Sequence, residues 1–256
     1  METGAPYKKN TYFSLFNFND KNIFIGMFYE RIRHFRGHGI HSPFVYNLIT
    51  KVIEERCRYY SLDAIVLIER QLLFNEGKLV KRKAIRPKQG ALLFRLANYF
   101  HPRNIIQIGA TTGLSTLYLT SYATGINCIS LENMPEYLPI AGRTYEKAAK
   151  TPVDVREGDY KQTLPQALQE MKQTDLVFFN LRHEQTDELW LFHKCMEYIH
   201  DDTFFVFGDI KKSHQAREQW KQVCAHPGVT VAIDLSSTGI VFFNKKLHKR
   251  TYLLYF

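Results

Sequence analysis

From Ser42 onward the apolar positions of the chain fall into register. Phe44, Val45, Leu48, Ile49, Val52 and Ile53 recur at three- and four-residue intervals behind a serine that can cap and a proline suited to a first helical turn, which predicts an amphipathic helix ending near Cys57. Ile65, Ile68, Leu72 and Leu73 predict a second helix after Ser61, and Leu92, Leu93, Leu96 and Ala97 a third over residues 89–100. Residues up to about Asn22 are polar and aromatic without a period and read as an arm. After residue 103 short apolar runs alternate with helical stretches, and strands are expected near 104–108, 126–131, 153–156, 175–179 and 203–207. Such alternation predicts βαβ units around a mostly parallel sheet. Two further runs, 229–233 and 239–243, are joined by a stretch too short for a crossover helix, so this last pair should be antiparallel.

With 256 residues, 45% of them hydrophobic, the chain can bury one good core and an added segment. The expected division is a helical N-terminal extension over 1–88 and an α/β domain over 89–256. Its boundary lies in a run with six cations and no acid (Lys78, Lys81, Arg82, Lys83, Arg86, Lys88), which reads as a solvated connector. A net charge of +9 keeps nucleic acid in play as a partner without favouring it. Four scattered cysteines, no leader pattern and no apolar run of the roughly 18 residues a membrane span needs point to a cytoplasmic protein with no membrane partner.

The chemistry concentrates where the first strand meets its helix. The strand runs into Gly109, the turn of Ala110, Thr111 and Thr112, then Gly113 and an apolar helix. Glycine at such a strand end lets the backbone close on a ligand. The next strand ends in Leu131, Glu132 and Asn133, an acid at the distance where ribose hydroxyls are held in nucleotide-binding folds. Glu132 also reads as a cap for the helix after it.

IIQIGATTGLSTLYLT followed by ISLEN resembles the first two motifs of class I S-adenosylmethionine-dependent methyltransferases, the catechol-type O-methyltransferase branch especially. The segment from Arg36 to Tyr46 is similar to that of a bacterial group of methyltransferase-like proteins, and the likeness covers about residues 36–256. It implies a Rossmann-like fold with a seven-stranded, mostly parallel sheet whose last strand is antiparallel, and S-adenosylmethionine as cofactor. The cofactor-binding residues implied are Gln107, Gly109, Ala110, Thr111, Gly113, Ser115, Glu132, Asn133, Asp159, Tyr160 and Asn180. Of these, Gly109, Ala110 and Gly113 would face the methionine portion, Glu132 the ribose, Asp159 and Tyr160 the adenine, and Asn180 the transferred methyl.

Three positions depart from that family's pattern. Gln107, Asn180 and Gly208 stand where carboxylates are usual, and amides bring no negative charge to a metal. Only Asp209 remains of the acids that hold a divalent cation in metal-dependent relatives, so no metal is expected, and Asp209 reads as a loop cap ahead of the helix from His214. His183 is the candidate general base beside Asn180; its plainer reading is a surface histidine. His38 and His41 lack a third ligand and read as part of a turn. The expected function is methyl transfer to an unidentified acceptor, a small-molecule hydroxyl first. The alternatives are a binding or scaffold protein that has lost transfer, and an RNA methyltransferase using Lys81, Arg82 and Lys83; the oligomeric state stays open.

Overall fold

The computed structural model describes residues 35–149, 153–181, 186–254 and 256. The predicted N-terminal arm and His183 lie outside them. Helix α1 (Pro43–Leu48) starts as its sequence requires, with the Ser42 hydroxyl accepting the Val45 amide at 3.4 Å and proline in the first turn. It widens into a π turn (Ile49–Ile53) and stops there, short of Cys57. Helices α2 (Tyr60–Glu76) and α4 (Pro87–Phe100) fall where periodicity places them.

The connector between them is a correction. Lys78–Lys83 forms helix α3, and Val80, Lys83, Ala84 and Ile85 are all buried. The cations do not fix the environment of the run: the apolar residues interleaved with them anchor it, and Lys83 is carried inward with them. Among the described residues these helices pack directly on the sheet. Val45, Ile65, Leu72, Val80 and Leu92 share one continuous buried cluster with strand residues Ile105, Leu176, Phe178 and Phe204.

The strands β1 (Asn104–Ile108), β2 (Asn127–Glu132), β3 (Asp154–Glu157), β4 (Leu176–Phe179), β5 (Phe204–Gly208), β6 (Val231–Asp234), β7 (Thr238–Phe242) and β8 (Arg250–Leu253) form one sheet in the order β3-β2-β1-β4-β5-β7-β6-β8. Only β7 runs antiparallel, paired with β5 on one side and β6 on the other. The sheet thus has one strand more than the seven expected, and the antiparallel strand is not the last. The chain turns back after β7 and lays β8 parallel to β6, at the sheet's edge. With Arg250 and Thr251 exposed and only Tyr252 buried, β8 carries too little apolar pattern to announce itself.

Alternation along the central strands divides the core into two layers. Leu176, Phe178, Phe204 and Val206 face helices α1, α2, α4, α5 (Leu114–Thr120) and α6 (Leu138–Lys147). Val177, Phe179, Phe205 and Phe207 face α7 (Tyr160–Met171), α8 (Glu188–Met196) and α9 (His214–Ala225). Phe179 and Phe207 stack on that second face, with centroids 4.4 Å apart and planes at 3°.

Helices α4 and α5 approach tightly at Gly90, where a Cβ would come within 2.3 Å of the Tyr118 ring. Tyr118 is itself 2% exposed and has no room to retreat. Gly90→Ala is therefore expected to lower unfolding stability by about 1–3 kcal/mol, read as a lower urea midpoint at unchanged slope. An unchanged midpoint would show that α4 and α5 separate at little cost.

Candidate functional site

The carboxyl ends of β1, β2 and β4 meet at one turn. Gly109 holds φ at +89°, and a Cβ there would lie 2.6 Å from the backbone oxygen of Asn180. Only glycine fits, for reasons of both conformation and space. The amides of Gly109 and Ala110 both donate to the Leu131 carbonyl, at 2.9 and 3.0 Å, fastening the turn to β2. Gly113, at φ +77°, opens α5.

Glu132 closes the arrangement from the next strand. One carboxylate oxygen accepts the Thr111 amide at 2.6 Å and the other accepts the Met134 amide at 2.9 Å. The side chain is fully buried. Burial raises its pKa, while the two amides and the nearby Lys83 ammonium work in the opposite direction. Glu132 does not cap the helix after it, where Met134 holds the cap position without a side-chain bond; its carboxylate instead ties the loop at Met134 to the glycine turn.

Gln107 and Asn180 turn their amides onto the same backbone. Gln107 Nε2 donates to the Gly109 carbonyl at 3.0 Å and to Ser115 Oγ at 2.8 Å, and its Oε1 accepts from Thr116 Oγ1 at 3.0 Å. Thr116 also contacts the Tyr145 hydroxyl at 3.0 Å. Asn180 Nδ2 donates to the Gly109 carbonyl at 3.0 Å, with Thr111 Oγ1 at 3.4 Å. Two side chains that replace carboxylates thus brace the turn, which an ionised acid, having no donor, cannot do.

Asn133 is exposed beyond the end of β2, and Asp159 is exposed as the cap of α7, its Oδ1 accepting the Lys161 amide at 2.9 Å. Tyr160 points the other way and belongs to the buried cluster that holds Leu131 and Leu164. Asp209, at φ +51°, does not cap the helix beyond it; Ser213 does, accepting the Ala216 amide at 3.1 Å. The Asp209 carboxylate lies 3.7 Å from Arg86, which leads into α4, and Gln89 of that helix donates to Thr238 on β7 at 2.8 Å. His38 and His41 are both exposed.

Two buried charged residues are absent from the cofactor-site residues expected from sequence. Lys83, at the end of α3, is buried, with its ammonium 3.6 Å from the Met134 sulfur and 5.0 Å from the centre of the Tyr137 ring. It lies inside a charge run, where a single inward lysine has no signature. Glu188, the first residue of α8, is 8% exposed, and burial pushes its pKa up to about 7 against the pull of Lys212, whose ammonium donates to the Leu181 carbonyl. An acid placed directly before Leu189, Trp190, Leu191 and Phe192 is the available signal.

Because Glu188 keeps its proton in the folded state from the ordinary value of 4.5 up to about 7, stability falls as pH rises across that window. Glu188→Gln removes this slope. The variant should gain on the parent by roughly 3 kcal/mol above the window and by nothing below it, measured by urea unfolding at both ends. A parent that unfolds alike at both ends would contradict the buried, proton-retaining carboxyl.

Residues 106–210 match the family model described as a methyltransferase domain. No curated protein matches the chain. Among solved structures, an O-methyltransferase from Bacillus cereus in complex with S-adenosylhomocysteine (SAH) superposes with a TM-score of 0.55 at 19% identity, covering 73% of this chain and 92% of that one. The O-methyltransferase TomG from Streptomyces achromogenes, involved in tomaymycin synthesis and solved with S-adenosylmethionine, gives 0.57 at 17% identity over 73% and 91%. The SAH-bound Podospora anserina methyltransferase PaMTH1 gives 0.62 at 13% identity and covers 91% of this chain and 99% of that one. No described helix is long and apolar enough to cross a membrane. The chain therefore has the Rossmann-like fold of class I methyltransferases, and its residues 106–210 are similar to the methyltransferase-domain family.

Proposed function

We propose that the chain is an S-adenosylmethionine-dependent methyltransferase acting on the hydroxyl of a small-molecule acceptor. The observation that carries this reading is the glycine turn held open by Glu132, Gln107 and Asn180. A Cβ at Gly109 would fill the turn, and Thr112, 1% exposed, keeps a buried hydroxyl with no protein partner. A cradle of backbone with an unspent polar atom fits a polar, nucleotide-like cofactor.

In this reading the backbone of Gly109, Ala110, Thr111 and Gly113 takes the methionine portion, with Gln107 and Ser115 supporting it from behind. The free lone pairs of Glu132 receive the ribose hydroxyls, and Asn133, Lys83, exposed Asp159 and the backbone of Tyr160 border the adenine. Asn180 stands at the transfer end, and His183, three residues further along the sequence, serves as the base that takes the acceptor's proton. When bound, the cofactor supplies a methyl group on a sulfonium that is already a good leaving group. What remains for the protein is orientation and exclusion of water, and a rigid amide-braced turn serves both. Four free thiols accord with the cytoplasm, and bacterial origin rests on the sequence resemblance.

A second reading has its own observation. Gln107 and Asn180 spend their amides inside the protein and leave Asp209 as the one acid remaining of the set that holds a cation in metal-dependent relatives, which suits a protein that binds the cofactor without transferring methyl. The RNA reading is weakened, since Lys83, one of its three cations, faces inward.

Calorimetry with SAH is expected to show binding that Gly109→Ala and Glu132→Ala each weaken by more than about tenfold, roughly 1.4 kcal/mol, and Lys83→Met by less. Labelled methyl transfer to a cell extract would favour the enzyme, and binding without transfer the second reading. Absence of SAH binding in the parent protein would contradict both.

A further inference from the structure

Helix α2 is apolar on two opposite faces. Ile65 and Leu72 are buried against the sheet layer, and the helix is tied to α6 by Arg143–Glu76 at 2.6 Å and Lys147–Gln71 at 3.3 Å. On the far face Tyr60, Leu67 and Phe74 stand 90%, 58% and 92% exposed. Single exposed apolar residues are ordinary, but these three are seven apart and fall along one line, each step drifting by only about 20°. The other exposed large apolar side chains among the described residues, Tyr46 and Tyr99, lie on other helices.

We propose that this row is the contact through which two copies of the chain pair, α2 packing antiparallel on its counterpart about a two-fold axis at Leu67. The axis sets Leu67 against itself and Tyr60 against Phe74 of the other copy, so aromatic meets aromatic at both ends. Charge selects this orientation. Asp63 and Arg70 lie on the same flank of the row, four residues before Leu67 and three after it. The two-fold brings Asp63 of one copy beside Arg70 of the other, and does so twice. A parallel pairing would set that flank against Ala64 and Gln71 and lose both pairs. Asp63 already meets Arg58 at 3.0 Å in an exposed pair, which can accept a second cation at little cost.

A helix of 17 residues is about 25 Å long. Its strip is smaller than the roughly 1,600 Å² of a standard interface, so pairing is reversible and dissociates in the micromolar range.

Sedimentation velocity of the full chain from about 1 to about 100 μM tests this. The expected result is a concentration-dependent shift from monomer to dimer. Leu67→Glu, at an exposed position, should stay monomeric throughout with an unchanged circular dichroism spectrum. Asp63→Arg should raise the dissociation constant about tenfold, and adding Arg70→Asp should restore it. A parent that is monomeric over the whole range, a dimer indifferent to Leu67→Glu, or a double variant that fails to recover would each overturn the proposal.

Discussion

The Glu132 carboxylate, buried between the amides of Thr111 and Met134, is the interaction on which the site depends. An unpaired carboxylate so placed would be costly, and two amide donors offset that cost only while both loops keep their shape. The clamp therefore couples the turn after β1 to the loop after β2. Gly109 makes the coupling feasible, since any side chain there would meet the Asn180 backbone. Gln107 and Asn180 then hold the Gly109 carbonyl from two directions.

The N-terminal helices matter to the site as much as the sheet does. Through its apolar neighbours α3 is pressed inward and delivers Lys83 to Met134 and Tyr137, while Arg86 and Gln89 reach Asp209 and Thr238 at the ends of β5 and β7. The basic segment that looks like a solvated boundary is thus packed against the loop after β2 and the ends of β5 and β7. The helices before it and the sheet after it share one buried layer.

Those parts of the molecule whose physics is local are legible in the sequence. Strands β4 and β5 are buried on both faces and appear as nearly unbroken apolar runs, and the turn advertises itself through Gly109 and Gly113. The mostly parallel sense of the sheet, the β6–β7 hairpin and the acid at the end of β2 can be read from spacing. What depends on partners distant in sequence cannot. Strand β8 is defined by its pairing with β6, since its own residues are half exposed. The burial of Lys83 and of Glu188 is set by what packs over them, and the internal use of Gln107 by Thr116 and Ser115. Sequence can say that Gln107 lacks a charge, but not that its donors are needed.

Hydrogen–deuterium exchange with and without S-adenosylmethionine tests the central claim most directly. The coupled clamp predicts slowed exchange in the turn through Gly109 to Gly113 and in the loop from Glu132 to Tyr137, moving together because Glu132 joins them. Protection confined to one of the two loops, or unchanged exchange in both, would contradict it.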